Sequence, residues 1–367
     1  MNQMDSRRPE WTPDDAGNEF ASRVVSGSTN TGGSVSHSAR THHERRYDPV
    51  ALIDGVRASN RSLLSKAITL IESNSIKHFE KGQELLQQLL PFSGASIRIG
   101  ITGVPGAGKS TFIEKFGLWL IDRGFRVAVL AIDPSSSISK GSILGDKTRM
   151  EKLSRHQSSF IRPSPSSGIL GGVARKTRES IILCEAAGYD VIIIETVGVG
   201  QSETTVRSMV DFFLLMQIAG AGDELQGIKK GIIELADLIV VNKADGDNIL
   251  KAEQAKQEYN NALHYLRHSS TSWHAKALTC SALTGDGISS IWDEIAAYKK
   301  TMNDTGAFKE RRVLQNLEWF DSLVKESVLN RFYQKQTVKD ILPELRQNVK
   351  QGKIPIAMAV SELLSTQ

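Results

Sequence analysis

Residues 103–111 read Gly-Val-Pro-Gly-Ala-Gly-Lys-Ser-Thr, a spacing suited to holding a string of phosphates. Gly103, Gly106 and Gly108, with Ala107 between the last two, let the backbone curl so that successive N–H groups point inward at phosphate oxygens. Lys109 has the reach and charge to meet the β- and γ-phosphates, and the Ser110 hydroxyl is of the kind that ligates Mg²⁺. Thr111 leads into a helical pattern whose N-terminus adds partial positive charge. The motif follows the strand-like run Ala95–Thr102 and precedes the helical pattern Phe112–Leu120, the strand–loop–helix context that such a loop requires. A nucleoside triphosphate with Mg²⁺ is the expected ligand.

A second motif selects the base. The apolar run Leu238–Val241 ends in Asn242-Lys243-Ala244-Asp245. A carboxylate at Asp245 can accept from the N1–H and the exocyclic amine of guanine. Adenine offers no such donor pair and would leave the carboxylate unpaired. Asn242 can donate to a ring acceptor, and the aliphatic stem of Lys243 can lie against the base. Ser281-Ala282-Leu283 follows the last strand-like run, where a backbone N–H can meet the same base. A turn with an Asx cap would use the same residue types as the 242–245 segment, but its place downstream of a phosphate loop favours GTP and GDP.

Carboxylates at other strand ends are candidates for the metal and the attacking water. Asp133 closes the run Val127–Ile132, Glu195 closes Val191–Ile194, and Asp146 lies in Gly-Ser-Ile-Leu-Gly-Asp-Lys-Thr-Arg. Mg²⁺ takes hard oxygen ligands, one or two of them carboxylates, beside phosphate oxygens. Ser110, Asp133, Asp146 and Glu195 are therefore the candidate metal set. Asp133, before Pro134, is also a natural turn former. Glu195 is less easily explained that way, because a charge ending an apolar strand calls for an ion or a partner. Gly198 can sense a γ-phosphate through its backbone N–H, and the glycines flanking Val199 would let that loop move. The glycine-dense, charged stretch Gly220–Lys230 is either a third mobile loop or an ordinary strand-to-helix connection.

These residues need a scaffold that gathers strand ends. Strand-like runs at Arg126–Ile132, Phe160–Arg162, Asp190–Glu195, Phe212–Gln217, Leu238–Val241 and Ala277–Cys280 alternate with helical patterns at 175–187, 202–209, 225–236 and 248–267. Continuous apolar strands such as Val191–Ile194 suit a parallel sheet covered on both faces. The expected fold is α/β: a doubly wound, mostly parallel P-loop NTPase sheet flanked by N-terminal and C-terminal helical extensions, with ligand at the carboxyl ends of the strands. Expected boundaries are a disordered tail at 1–46, a helical segment at 47–95, the nucleotide domain at 96–302 and a helical arm at 303–367. Asn60 and Ser62 are candidate caps for the second N-terminal helix. The tail lacks periodic apolar residues, and its Asp5, Glu10, Asp14, Asp15 and Glu19 argue against a mitochondrial transit peptide. In the arm, Val313, Leu314, Leu317, Phe320, Leu323, Val324 and Val328 suit one long amphipathic helix, with two shorter ones after it.

Composition narrows the classes. The 45 basic and 41 acidic side chains leave a net charge of +4, too balanced to argue for nucleic acid or an anionic membrane as partner. No run approaches the roughly eighteen apolar residues of a membrane span. Two cysteines, Cys184 and Cys280, fit a reduced, cytoplasmic protein without a disulfide framework.

Taken together, Gly103–Thr111, Ala131–Ser136, Gly141–Met150, Arg162–Gly168, Glu195–Glu203, Ala221–Gly231 and Val241–Asp247 resemble the MeaB/ArgK-type GTPases, relatives of the human methylmalonic aciduria type A protein. The resemblance spans about Ala67 to Trp292 and separates the chain from Ras-like proteins, whose second switch begins with Asp where Glu195 stands here. It implies a homodimeric GTPase serving an adenosylcobalamin-dependent mutase of the methylmalonyl-CoA mutase type, with GTP turnover gating cofactor delivery and protecting or reactivating the mutase. It also implies catalytic roles for Lys109, Asp146 and Glu195, a third switch at 217–230 with Lys229 or Lys230 contributing, and a C-terminal dimerisation arm. The alternatives are a nickel-type metal-insertion GTPase, a kinase or transport-coupled ATPase of the ArgK type, and a nucleotide-gated scaffold without useful turnover. The first would need a Cys/His cluster, for which only the stretch His37–His43 is available. The second would need a site that does not select guanine.

Overall fold

The structure, a computed structural model, describes residues 48–133, 150–165, 170–196, 202–220, 230–265 and 272–365. Seven apolar runs become strands: β1 Ile97–Gly103, β2 Val127–Asp133, β3 Ser159–Pro165, β4 Val191–Thr196, β5 Phe212–Ile218, β6 Leu238–Asn242 and β7 Lys276–Thr279. They form one sheet in the order β3-β2-β4-β1-β5-β6-β7, and every pairing is parallel. Parallel strands need crossovers that cover both faces, which explains why all six residues of β4 are buried.

Alternate side chains of each strand enter different cores. Leu130, Ile192, Ile194 and Phe213 face Leu64, Ile68, Leu85 and Ile181. These last belong to α2 Arg61–Glu72, α3 Ile76–Leu89 and α6 Leu170–Ala186. Ile99, Ile101, Val191 and Ile193 face Phe112, Phe116, Leu120, Ile291 and Ile295, from α4 Lys109–Ile121 and α10 Ile288–Asp304. A third cluster joins Ile239 and Val241 to Tyr259 and Leu263 of α9 Ile249–Tyr265. Each fully buried Leu, Ile or Phe contributes about 1.5–3 kcal/mol, so the sheet is a rigid platform for the loops at its ends.

The N-terminal helices α1 Pro49–Arg57, α2 and α3 share the first core with α6. Asn60 caps α2 by accepting from the N–H groups of Ser62 and Leu63 at 3.0 and 3.1 Å. Ser62 is thus a first-turn donor rather than a cap. Three short helices complete the crossovers: α5 Glu151–Arg155, α7 Ser202–Arg207 and α8 Lys230–Leu235.

After α10 come α11 Ala307–Gln334, α12 Gln336–Lys350 and α13 Ile356–Ser365. The first turns of α11 are pinned beneath the amino ends of the strands. Arg312 donates to both carboxylate oxygens of Asp211 at 2.8 and 2.7 Å and to the carbonyls of Gly94 and Ser96 at 2.6 and 2.8 Å. Gln315 donates to the Val210 carbonyl at 2.8 Å. Further along α11 the apolar face, including Leu317, Phe320, Val324 and Val328, is exposed. Among the described residues no helix is long and apolar enough to cross a membrane.

Candidate nucleotide site

In an open parallel sheet, ligands sit at the carboxyl ends of the strands where the strand order reverses. Here that point lies at β1, whose neighbours β4 and β5 lead to opposite halves of the sheet. The 103–111 loop leaves β1 there and enters α4 at Lys109. Its glycines are dictated by space. A Cβ on Gly103 would lie 2.2 Å from the Met216 carbonyl, and one on Gly108 would lie 2.7 Å from Asn242 Nδ2. Gly106 and Gly108 also have φ of 78° and 82°, a region that side chains disfavour.

The charged groups of the loop are drawn onto their own surroundings. Lys109 Nζ donates to the carbonyls of Gly103 and Val104 at 2.9 and 3.3 Å. Burial lowers its pKa, against the raising influence of Glu195 and Glu203. Ser110 Oγ donates to Glu195 Oε1 at 3.0 Å, and Glu195 is buried at the end of β4. One hydroxyl oxygen and one carboxylate oxygen therefore meet at the first turn of α4. That is a hard-oxygen pair of the type Mg²⁺ takes alongside phosphate oxygens. The Thr196 hydroxyl donates to Thr102 Oγ1 at 2.9 Å, fixing the end of β4 against that of β1.

At the base end, Asn242 is buried and works in two directions. Its Nδ2 donates to the Ala107 carbonyl at 2.7 Å, and its Oδ1 accepts from the Ala282 N–H at 3.0 Å. One side chain thus ties the phosphate loop to the 281–283 loop, leaving one Nδ2 hydrogen for another acceptor. Ser281 Oγ donates to Asp245 Oδ2, so the carboxylate is positioned by the following loop. The Ser281 N–H is committed to the Asp286 carbonyl at 3.0 Å. With the Ala282 N–H also in use, Leu283 supplies the one N–H of the three that has no acceptor among the described residues. Lys243 is exposed and holds φ of 60°, unusual for a residue other than glycine.

The fold thus brings Gly103, Gly106, Ala107, Gly108, Lys109, Ser110, Thr111, Glu195, Asn242, Lys243, Asp245, Ser281, Ala282 and Leu283 to one edge of the sheet. Asp133 ends β2 at the same edge, its backbone in register with Pro165. Lys230 opens α8. Asp146, Gly198 and Lys229 lie outside the described residues, as does the 1–46 segment. Glu203 was not marked as a site residue by the sequence pattern, yet it is buried at the start of α7 and acts electrostatically on Lys109. Its position eight residues beyond Glu195 in the same motif was the available signal.

Comparison with known proteins decides the family. The sequence model described as methylmalonyl Co-A mutase-associated GTPase MeaB matches residues 64–337. The chain belongs to the MeaB family. GTPase ArgK of Escherichia coli strain K12 is 51% identical over 278 residues, covering 76% of this chain and 84% of that protein. The mouse methylmalonic aciduria type A homolog, mitochondrial, is 45% identical over 323 residues, covering 85% and 78%. A solved structure titled LAO/AO transport system kinase superposes with a TM-score of 0.71 at 40% identity, covering 86% of this chain and 96% of that one. As a MeaB-family member the protein is a GTPase, built on the P-loop fold.

Proposed function

We propose that this MeaB-family GTPase is a GTP-gated chaperone for an adenosylcobalamin-dependent acyl-CoA mutase of the methylmalonyl-CoA mutase type, governing cofactor loading and protecting or reactivating that enzyme. The observation that carries the reading is the family match, whose description names association with the mutase. The mouse relative, named for methylmalonic aciduria, supports it.

In this reading Lys109 and the 103–111 backbone hold the phosphates, Asp245 reads guanine, and Asn242 and the Leu283 N–H complete the base contacts. Ser110 and Glu195, with Asp133 and Asp146, would hold Mg²⁺, which supplies charge neutralisation to the β- and γ-phosphates. Glu195 and Asp146 orient the attacking water, and Lys229 or Lys230 completes the site from a third switch at 217–230. Such catalysis is positioning and charge stabilisation, with little covalent chemistry for the protein. Turnover is then slow alone and faster when the partner completes the site.

The exposed apolar face of α11 supports a homodimer in which residues 303–367 form the arm, extending from a nucleotide domain at 96–302. Light scattering of a chain ending near residue 303 would give a monomer, and a persisting dimer would remove the arm's role. A cytoplasmic location fits the two reduced cysteines. The kinase named in the solved relative's title is the competing reading, and selection of GTP over ATP separates the two. Pull-down of methylmalonyl-CoA mutase in the GTP- and GDP-bound states tests the chaperone role: capture that depends on the nucleotide supports it, and no capture in either state defeats it.

A further inference from the structure

At the amino ends of the strands, opposite the nucleotide loops, α11 meets the sheet over a small cavity of about 190 Å³. Arg98, Arg178, Arg312, Ser93, Asn316 and Trp319 are among the residues that line it. Two of the three guanidinium groups are matched. Arg98 Nε donates to Glu185 Oε1 and its Nη2 to Oε2, both at 2.9 Å. Arg312 is held by Asp211.

Among the described residues Arg178 has no carboxylate of its own. It is 9% exposed, and among the described residues it donates to neutral oxygens: the Ser208 carbonyl at 2.6 Å, the Ser208 hydroxyl at 2.8 Å and the Gln315 carbonyl at 3.4 Å. Exposed Glu318 acts on it from a distance, without an ion pair among the described residues. Burial and the neighbouring Arg98 pull the Arg178 pKa down to about 10. A buried charge without a counterion is costly.

Two donors of residues that line this cavity are also left over. Arg178 Nε and Trp319 Nε1 are both buried and have no hydrogen-bond acceptor among the described residues. The Arg178 guanidinium carbon lies 5.3 Å from the Trp319 ring centroid, so the orphaned N–H groups belong to one neighbourhood. Native proteins leave few buried donors unsatisfied, and each calls for an explanation such as strain or a bound water or ion.

We propose that this cavity is a binding site for a small oxyanion, phosphate or carboxylate, which sits against the Arg178 guanidinium and supplies the third negative charge. The cavity has room for one such ion with a few waters. Water alone would satisfy the N–H groups but not the charge. The site is independent of the GTP loops, which lie at the other ends of the same strands, and it sits where α11 is anchored.

The test uses the full-length protein saturated with GDP and Mg²⁺, so that the phosphate loop is filled. The readout is the Trp319 indole N–H resonance, identified by its loss in Trp319→Phe. Phosphate, acetate and chloride are titrated separately at matched ionic strength. A saturable shift of that resonance with phosphate, with acetate or with both is expected, and the arm that responds names the source of the oxyanion. Arg178→Lys keeps the charge but loses the Nε–H and the planar fork, and binding should weaken by about tenfold. No shift with either oxyanion, or an equal shift with chloride, overturns the site. An Arg178→Lys protein that binds as tightly as the parent does so too. Should that variant fail to fold, the titration of the parent protein decides alone.

Discussion

Replacing Asn242 with alanine separates two roles that one side chain combines. In the structure its amide bridges the Ala107 carbonyl and the Ala282 N–H, and the residue is 1% exposed. Truncation leaves a buried acceptor and a buried donor without partners, each costing about 1–3 kcal/mol. The low end is appropriate for both, since water can enter beside a loop, giving about 2–3 kcal/mol in total. In a domain of this size that lowers Tm by roughly 5 °C. Loosening of the phosphate loop against the base loop should also weaken GTP binding. Because the bridge serves the phosphate loop, ATP binding falls in parallel. Asp245→Ala is the control: it should leave Tm nearly unchanged and reduce the preference for GTP over ATP. Scanning calorimetry without nucleotide, with displacement of a fluorescent guanine nucleotide by GTP or ATP, reads both quantities. An Asn242→Ala protein with unaltered Tm that loses only its guanine preference would refute the bridging role.

Gly108→Ala puts a methyl group 2.7 Å from Asn242 Nδ2 at a φ of 82°; nucleotide affinity should fall by about tenfold or more, since strain of roughly 1–2 kcal/mol adds to the displacement of Asn242. Equal affinity in the same displacement assay would contradict the close approach. Arg312→Ala strips buried Asp211 of its partner and should cost about 3–5 kcal/mol in urea unfolding, and a loss under about 1 kcal/mol would show that the anchor of α11 lies elsewhere. Burial of Asp237 raises its pKa from 3.8 to about 6 despite Arg207 beside it. The folded state then binds the proton more tightly than the unfolded one, so this contribution is full below 3.8 and is lost as pH rises through about 6. The stability advantage of the parent over Asp237→Asn should therefore shrink across that interval, and an advantage that grows would reverse the assignment.

Much of the site could be read from the chain because its residues are neighbours in sequence. The 103–111 loop, the 242–245 segment and Glu195 each sit on a strand end that apolar patterning marks. Strand limits were less visible where local rules and tertiary context disagree. The strand-like run Phe160–Arg162 stops short of Pro163, yet β3 continues to Pro165. It is the edge strand, where a proline's missing N–H can face away from the sheet. Likewise α6 begins at Leu170 rather than 175, through Gly171 and Gly172, which are poor helix formers. The two-way use of Asn242 could not be foreseen, because Ala107 lies 135 residues away from it. The arginine network under α11 was equally hidden: Arg312 and Asp211 are 101 residues apart, and only the folded chain brings them together.

The proposed chaperone role requires a GTPase cycle that another enzyme completes. The most direct test is the rate of GTP hydrolysis with and without saturating methylmalonyl-CoA mutase. Acceleration of at least about tenfold is predicted, because groups that complete such a site contribute large factors to phosphoryl transfer. Equal rates in the two mixtures would contradict it.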